Sequence, residues 1–450
     1  MNKSIGIIGG GISGLVVAFL LKEKGYVVKL FEKSEHLGGN IQTVEIDNFL
    51  IEYAPNSLLK SPRLVELIKT LDLESEVLTA NPTNKKRYIL HGGKLQSLPM
   101  SIAKIAFGKF FSWRAKLRLL REPFIKSKSP PDESVADFFK RRFGSEVLEK
   151  AADPFIAGIY AGITENLSIK TAFPRLIELE KDYGSVIVGS FRSKNVPSDK
   201  NFPRTFSFKK GVQTLTDKLA AKLGDSVKKK TQVLRVEKLS DGKFKLETTS
   251  ETEIFDAVIS ATTSEITAGL IKNLDAGLSL QLRNIYYPPV AMIFFGVKKE
   301  NICHNLDGFG FLIPGTENRR ILGTIWNSSI FLNRAPENFH LLTTFVGGAR
   351  DAEIFLKPDA ELYEIVFDEL REILGLSEQP NFRHIKRWHK AIPQYEIGYE
   401  KIEKNIENFE NKYRGIFFCS NFYKGISVGD CVKNAYLTVD KTESFLNEQF

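Results

Sequence analysis

The chain has 450 residues, more than one hydrophobic core usually supports, so its length predicts two or three structural units. With 42% hydrophobic and 26% charged residues it is not a disordered chain, and no apolar run approaches the ~20 residues that cross a bilayer. The three cysteines form no CxxC pair, which argues against a disulfide framework or a zinc site, so we expect no metal. The sequence enters a strand at once without a signal-peptide pattern, so we expect a cytoplasmic, reduced protein.

The first fifty residues predict a strand, a glycine turn, a helix and a second strand. The strand at 4–10 is short, apolar and β-branched, and the helix at 13–24 ends before a glycine. Between them stands Gly9-x-Gly11-x-x-Gly14. In this motif the first glycine permits the tight turn, the second lets the backbone approach a pyrophosphate, and the third lets the helix pack on the strand. The pattern predicts a dinucleotide site at the helix N-terminus.

An acid follows where such a site needs one. Glu32 ends the second strand, eighteen residues after Gly14, where a carboxylate accepts hydrogen bonds from the ribose hydroxyls of adenosine. An acid rather than an arginine argues against NADP and leaves NAD and FAD. Gly38 and Gly39 come soon after, a second glycine pair of the kind that approaches the cofactor in flavoproteins, and this favours FAD.

The next segment carries most of the net charge of +9. Between residues 84 and 128 there are twelve lysines and arginines and one acid, so the rest of the chain sums to −2. Large apolar residues such as Trp113 and Leu120 alternate with these cations, a mixture that suits an anionic membrane surface. A basic patch is also typical of nucleic-acid binding, and a solvated helix is the plain alternative. We expect peripheral contact with an anionic membrane and no nucleic acid.

The remaining elements alternate between helices and strands. Helices are predicted at 133–150, 169–179, 209–224, 359–374 and 431–446, and strands at 231–239, 243–249, 255–261, several within 290–348, and 414–423. We expect the last helix to direct its N-terminal dipole, after Asp430, at the flavin edge that gains negative charge on reduction. The order of elements predicts a mixed α/β fold in which one nucleotide domain is assembled from separated segments.

Many stretches beyond the glycine motif resemble one known family. They are FLIEYAPNSLL (49–59), KRYILHGGKLQSLP (86–99), DPFIAGIYAGITENLSIKTAFPRL (153–176), KKGVQTL (209–215), GFGFLIP (308–314), LGTIWNSSIFLNRAP (322–336), TTFVGGARD (343–351), KRWHKAIPQYEIGY (386–399) and GISVGDCV (425–432). On these residues the chain is similar, nearly end to end, to the oxygen-dependent, FAD-containing protoporphyrinogen oxidases, within the amine oxidase and phytoene desaturase-like flavoproteins. The GIYAG, TTFVGG and AIPQY stretches are more specific to that family than the glycine motif.

The resemblance implies a discontinuous Rossmann-like FAD-binding domain, a mixed-sheet substrate domain and a helical membrane-associating domain. The implied FAD segments are 1–80, 205–268 and 385–450; residues 81–204 form a mainly helical membrane and substrate segment, and 269–384 the mixed-sheet segment. The implied FAD contacts are Gly9, Gly11, Gly14, Glu32, Gly39, Ser57, Val233, Trp388 and Val428. Among them, the Val233 backbone would contact adenine and Trp388 would pack beside the isoalloxazine ring, with an ordinary core tryptophan as the alternative.

The implied substrate is a porphyrinogen, a large apolar disc that carries carboxylates. By position, Leu312, Ile325 and Phe345 are candidates for apolar plates against the disc, with plain strand core as the alternative. Arg87 is the candidate cation for a propionate, because a guanidinium binds a carboxylate with two hydrogen bonds. The backbone from Gly158 to Gly162 is the candidate for close approach to the pyrrole nitrogens.

The implied reaction is the oxidation of protoporphyrinogen IX to protoporphyrin IX in haem biosynthesis, with O2 as acceptor and H2O2 as product, in three cycles of hydride transfer to FAD. The six histidines are scattered and no Ser/His/Asp set or HExxH motif is present, so we name no catalytic base. A second candidate substrate is coproporphyrinogen III, whose four propionates would favour more cations than Arg87. Two further functions are compatible with the fold, namely amine or carotenoid oxidation and a membrane-associated FAD-binding scaffold without turnover. We expect the protein on the inner face of the cell membrane, and a homodimer is left open.

The chain departs from the family pattern at several positions. Asn40 stands where Arg or Lys is frequent, Ala54 and Ser420 where Gly is frequent, and Tyr399 where His is common, and 261–263 lacks a usual proline. These departures keep a scaffold without turnover open as a hypothesis.

Overall fold

A computed structural model describes residues 3–82, 85–193, 199 and 201–448; Asn84, the first residue of the basic segment, lies outside them. The strands are β1 (Ser4–Ile8), β2 (Val27–Phe31), β3 (Thr43–Ile46), β4 (Phe49–Glu52), β5 (Leu58–Leu59), β6 (Val77–Thr79), β7 (Lys86–His91), β8 (Lys94–Ser97), β9 (Thr205–Phe208), β10 (Val227–Lys228), β11 (Val233–Lys238), β12 (Phe244–Thr248), β13 (Thr252–Phe255), β14 (Ala257–Ser260), β15 (Val290–Lys298), β16 (Gly308–Leu312), β17 (Ile321–Trp326), β18 (Phe339–Gly347), β19 (Phe382–Trp388) and β20 (Ile416–Phe418). The α-helices are α1 (Ile12–Glu23), α2 (Pro62–Thr70), α3 (Ile102–Phe107), α4 (Trp113–Arg121), α5 (Val135–Phe143), α6 (Ser145–Val147), α7 (Asp153–Tyr160), α8 (Ile169–Ala172), α9 (Pro174–Tyr183), α10 (Val186–Arg192), α11 (Gln213–Leu223), α12 (Ser264–Ile271), α13 (Ala276–Arg283), α14 (Asn327–Ile330), α15 (Asp359–Leu374), α16 (Tyr399–Lys412) and α17 (Val428–Asn447).

A five-stranded parallel sheet has the order β10-β2-β1-β14-β20. Ile5 and Ile7 of β1 are fully buried, as expected for a central strand covered on both faces. One face packs on α1, α2, α11 and α17, and the other on the antiparallel sheet β11-β12-β13 with α12, α13 and α16. The strands come from three separated stretches of the chain, 4–31, 227–260 and 416–418, which confirms the predicted discontinuous nucleotide domain.

A second, seven-stranded sheet has the order β19-β15-β18-β17-β16-β7-β8. Its pairs are antiparallel except β16 with β7, which are parallel. Residues of α15 cover one face, and the hairpin β3-β4 packs against the other. The two residues at the tip of this hairpin, Asp47 and Asn48, both have positive φ, as a tight two-residue turn requires.

Helices α3–α10 form a separate apolar cluster beside this sheet. The helix predicted over 133–150 is divided, because Gly144 ends α5 with a φ of 91°. After it come α6 and a π-helical turn, Leu148–Ala152, before α7 begins. The break redirects the chain so that α7 lies against β16 and β17.

Two expected segment boundaries fall inside structural elements, and one pair of strands joins a different segment from the expected one. The cuts after residues 268 and 384 fall inside α12 and β19, whose hydrogen bonding continues through them. β7 and β8, expected in the mainly helical segment, pair instead with the mixed sheet. The edges of the segments therefore follow sheet pairing rather than local composition.

Candidate functional site

The glycine turn between β1 and α1 is shaped by close backbone contacts. A side chain on Gly14 would collide with the carbonyl oxygen of Gly9, and Gly9 itself has a φ of 105°. Gly11 is different, because a β-carbon there would have only Gly39 Cα near it, at 3.9 Å. The Gly38 N–H donates to the Gly10 carbonyl at 2.7 Å, which holds the two glycine motifs together. Two stretches of bare backbone thus border the N-terminus of α1, where no side chain caps the first turn.

Glu32 is fixed next to this turn. Its Oε2 accepts the Gly10 N–H at 2.7 Å, and its Oε1 accepts the N–H and hydroxyl of Ser34 at 2.9 and 2.8 Å. The carboxylate is half-buried, and Oε2, which accepts only one hydrogen bond, has a further lone pair for a ribose hydroxyl. The charged group is therefore held in place before any ligand binds.

The start of α17 lies three residues earlier than predicted, and this corrects the expected dipole position. α17 begins at Val428, and Ser427 and Asp430 form a reciprocal capping box. Asp430 thus lies in the first turn rather than before the helix. Gly429 approaches Ser61, whose buried hydroxyl has no hydrogen-bond partner in the described part of the chain. Such an orphaned donor, beside a helix N-terminus, suits a polar cofactor group.

Ser57 and Val233 lie at opposite parts of the nucleotide domain. Ser57 is half-buried immediately before β5, in the same stretch as Ser61. Val233 is 5% exposed at the start of β11 and packs in the cluster that contains Phe31, next to Glu32. These features fit an FAD. They are the open backbone at Gly11 and Gly39, the fixed carboxylate of Glu32 and the unpartnered Ser61 hydroxyl.

Trp388 ends β19 and is held by a hydrogen bond. Its Nε1 donates to the Tyr53 carbonyl at 2.8 Å, and its half-buried ring packs in the same cluster as Phe345 and Tyr53. Tyr53 in turn shares a hydrogen bond of 2.8 Å between its hydroxyl and Nε2 of His384. The ring is therefore part of a wall on the face of the mixed sheet opposite α15.

The three predicted plates share that face. Along β18, Leu342 and Val346 pack toward α15, whereas Phe345 points the other way. Ile325 lies opposite Thr343, two residues from Phe345, and Gly310 lies opposite Ile325, so Leu312 shares the same face. Leu312, Ile325 and Phe345 are each half-buried among fully buried neighbours. Exposed apolar surface at three adjacent strand positions is what a wall against an apolar disc requires.

The predicted glycines, Gly158 within α7 and Gly162 just after it, pack against side chains. A β-carbon on Gly158 would lie 2.6 Å from Leu312 Cδ2, which brings these two predicted residues together. Gly162 faces the side-chain oxygen of Gln394, whose Nε2 donates to the Tyr160 carbonyl at 2.8 Å. The space beside each glycine is therefore filled by the chain's own side chains, so the expected close approach of a substrate ring along 158–162 needs Leu312 and Gln394 to give way.

Arg87 lies on β7 with its guanidinium 4.6 Å from the centroid of the Phe309 ring. Its neighbour Lys86 pairs with Asp307, but Arg87 has no carboxylate partner within the described ranges. The pKa of Arg87 is lowered, first by burial of the charged group and then by the nearby charge of Arg204. Two neighbouring arginines without an acid are a candidate carboxylate site.

Sequence reasoning missed three residues of this region: Arg204, Tyr53 and Gln394. Arg204 precedes β9; its carbonyl accepts a hydrogen bond from Lys60 N, and that of Thr205 accepts one from Ala80 N. These contacts with distant parts of the chain have no signal in the local sequence. Tyr53 and Gln394 lie in FLIEY and AIPQY, two stretches that resemble the family. That resemblance could have identified them as site candidates.

The basic segment exposes an apolar helix face. Trp113, Leu117 and Leu120 of α4 are 65%, 43% and 72% exposed, whereas Ala115 on the opposite side is buried. Exposed cations surround them; these are Lys104, Lys109, Arg114, Arg121, Lys126 and Lys128. Phe110 and Phe111, by contrast, are buried in the helical core. No helix in the described ranges is long and apolar enough to span a membrane.

Known proteins resemble this chain in sequence and in fold. Residues 12–441 match the family described as flavin containing amine oxidoreductase. Protoporphyrinogen oxidase 1, chloroplastic, of Arabidopsis thaliana is 33% identical over 98% of this chain and 88% of its own length. Coproporphyrinogen III oxidase of Bacillus subtilis is 29% identical over 99% of each chain. A crystal structure from Exiguobacterium sp. 255-15, provisionally named a protoporphyrinogen oxidase, superposes with a TM-score of 0.82 over 99% of each chain at 22% identity.

Proposed function

The chain belongs to the flavin-containing amine oxidoreductase family, and we propose that it oxidises a porphyrinogen in haem biosynthesis with a bound FAD. The relatives named for porphyrinogen oxidation align with nearly the whole chain, so the likeness includes both the nucleotide domain and the mixed sheet. The observation that carries it is the shared face of Leu312, Ile325 and Phe345, half-exposed beside Trp388. This face offers an apolar wall, which an uncharged tetrapyrrole ring needs.

The chain's own residues contribute binding and orientation. An FAD held at Gly11, Gly39, Glu32 and Ser61 would supply the hydride acceptor for a saturated meso carbon, with O2 as the final electron acceptor and H2O2 as product over three rounds from porphyrinogen to porphyrin. The three plates exclude water from the ring, while Arg87 holds a propionate at the edge. Since the wall is apolar, its effect on rate is to position the substrate carbon against the cofactor. No protein base is assigned.

Protoporphyrinogen IX is the substrate we favour. Arg87 and Arg204 are two neighbouring cations without a carboxylate partner among the described residues, and protoporphyrinogen carries two propionates. Coproporphyrinogen III is the second candidate, since the Bacillus subtilis relative is named for it and matches along its full length. Both substrates share one adjacent pair of propionates, but coproporphyrinogen III carries two more, for which further cations are expected.

Amine oxidation is less well supported. An enzyme of that class binds its amine among aromatic rings. Here the rings of Tyr53 and Trp388 already contact a cation of the chain itself, the Lys386 ammonium, at 4.7 and 4.5 Å. A free amine would have to displace it.

We also propose that the apolar face of α4 rests on an anionic membrane, on the inner face of the cell membrane. The outward direction of Trp113, Leu117 and Leu120 supports this, because a solvated helix turns such residues inward. The surrounding cations add ~1 kcal/mol each near an anionic surface. A solvated basic helix is therefore the weaker interpretation.

The test of the main proposal is porphyrin fluorescence in air. The FAD-loaded protein is mixed with protoporphyrinogen IX or coproporphyrinogen III, and porphyrin and H2O2 are measured against protein stripped of FAD. Faster protoporphyrin formation supports the favoured substrate, and faster coproporphyrin formation moves the enzyme to the second. If neither substrate gives FAD-dependent porphyrin fluorescence, the proposed reaction is overturned. The remaining hypothesis is then an FAD-binding scaffold without turnover.

A further inference from the structure

Lys386 places a positive charge inside the aromatic wall. Its Nζ lies 4.5 Å from the centroid of the Trp388 ring and 4.7 Å from that of Tyr53. In β19 it lies directly opposite Met292 of β15, on the face that carries His384 and Trp388. The ammonium therefore belongs to the substrate-facing side of the sheet.

The cation differs from its neighbours on the same stretch. Arg383, Arg387 and Lys390 pair with Glu364, Asp359 and Glu265. Lys386 forms no ion pair with any carboxylate that the structure describes, although its side chain is half-buried. A partly desolvated lysine that faces only aromatic rings is unusual, because a charge is normally paired when it leaves water.

The surroundings hold the ammonium in place. The Trp388 indole donates to the Tyr53 carbonyl, and the Tyr53 ring stacks on His384 with centroids 5.6 Å apart and planes 13° from parallel. The pKa of His384 is lowered, first by burial and then by the charge of Lys386, so a second positive charge on this imidazole is disfavoured. The two rings attract the ammonium through their π-faces.

We propose that Lys386 supplies positive charge to the bound flavin and raises its reduction potential. The inference rests on the proposed function and on the placement, implied by the family resemblance, of Trp388 beside the isoalloxazine ring. A flavin that takes a hydride gains negative charge, and a fixed cation nearby stabilises that state relative to the oxidised one. A charged group near the flavin is a means by which a protein sets the reduction potential of this cofactor. A residue that only clamps Tyr53 and Trp388 would leave the potential unchanged.

The test compares variants that keep or remove the charge. Lys386→Met and Lys386→Gln are loaded with FAD, and the midpoint potential and sulfite affinity are measured, since the sulfite adduct is also anionic. We expect a downward shift in potential and a loss in sulfite affinity on the order of tenfold. Lys386→Arg should retain both, and Arg383→Met, which removes a charge from the other face of β19, is the matched control.

The possible results distinguish a failure of this inference from a failure of the proposed function. An unchanged potential in both neutral variants with full FAD content overturns the role of Lys386, whatever the enzyme oxidises. An equal loss in Lys386→Arg also overturns it, because packing rather than charge then matters. If wild-type protein oxidises no porphyrinogen but the potential still falls in Lys386→Met, the proposed function fails and the inference stands.

Discussion

Gly158 of α7 and Leu312 of β16 are in direct contact, because the glycine leaves a gap that the leucine side chain fills. These residues are 154 positions apart in the sequence, and both belong to stretches that resemble the same family. The contact joins the helical region to the mixed sheet next to the proposed substrate wall. The position of Leu312 therefore depends on the absence of a side chain at 158.

Gly158→Ala should lower activity without removing the cofactor. The added β-carbon would lie 2.6 Å from Leu312 Cδ2, so the leucine must move toward the substrate side. We expect a several-fold loss in kcat/KM for the porphyrinogen, with normal FAD content and a small fall in Tm. Gly269→Ala in α12, where a β-carbon meets nothing within 4 Å, is the control and should leave both unchanged or raise Tm. Equal activity in the two variants would show that Leu312 does not line the site.

The glycine turn gives a second prediction. Gly14→Ala forces the new methyl into the Gly9 carbonyl, so the turn itself opens, and we expect lower Tm and no bound FAD. Gly11→Ala has open space, so the fold should persist with Tm near wild type, while FAD affinity falls because the methyl occupies backbone surface meant for the pyrophosphate. Flavin absorbance after gel filtration and thermal unfolding of the apoprotein measure the two effects. Full FAD binding by Gly11→Ala would contradict the assignment of this turn.

Apolar periodicity predicted the bounds of the regular helices well. The helix at 359–374 was confirmed at both ends, and α1 is displaced by one residue. The start of α17 was wrong by three residues, although the capping pair Ser427 and Asp430 is readable as Ser-x-x-Asp. The single helix over 133–150 was wrong because Gly144 takes a positive φ that periodicity does not reveal.

The parts of the site that no local pattern predicts depend on distant pairing. Register in the mixed sheet puts Leu312, Ile325 and Phe345 on one face, and the pairing of β16 with β7 brings Arg87 beside them from a distant stretch of sequence. Arg204 and Lys386 become site candidates only through the structure, which places Arg204 near Arg87 and Lys386 against the rings of Tyr53 and Trp388. Composition could show that these cations exist but not which of them lack an acid.

A cluster of acids on α16 predicts a pH-dependent stability. Burial, with smaller contributions from Glu400 and Glu407, raises the pKa of Glu403 to about 7. Since this value is above that of the unfolded chain, the folded state binds the proton more tightly, and stability falls as pH rises from about 4.5 to 7. Glu403→Gln removes this penalty, so Tm should rise at pH 8, by the equivalent of about 1–3 kcal/mol, and much less at pH 5. An equal effect at both pH values would contradict the prediction, and Glu23→Gln at the exposed end of α1 is the control.

The α4 surface predicts salt-sensitive membrane binding. Vesicles that contain phosphatidylserine should bind the protein at low salt and release much of it at high salt. Trp113→Ser with Leu120→Ser removes outward-facing apolar surface and should weaken binding by about tenfold or more while FAD content and turnover persist. Leu332→Ser with Leu356→Ser is the matched control, because these leucines are 81% and 80% exposed elsewhere. Salt-independent binding, or equal losses in both pairs, would rule out this surface.

The arginine pair predicts how the substrate is selected. Arg87→Gln should raise KM by roughly 10- to 100-fold with FAD content intact, because a charged hydrogen bond to a carboxylate contributes ~1.5–3 kcal/mol. Arg204→Gln should also raise KM, because the charge of Arg204 lies near enough to Arg87 to lower the pKa of that guanidinium. Arg235→Gln on β11 removes an exposed arginine far from this face and should change neither value.

Measuring both variants with both porphyrinogens then identifies the bound groups. If each arginine binds one of the two adjacent propionates, KM rises by the same factor for protoporphyrinogen IX and coproporphyrinogen III, because both molecules carry that pair. A larger rise for coproporphyrinogen III at Arg204 would instead place a propionate that protoporphyrinogen lacks near β9. An unchanged KM in both variants would put the carboxylate site elsewhere on the face of Leu312, Ile325 and Phe345, with the apolar wall still in place.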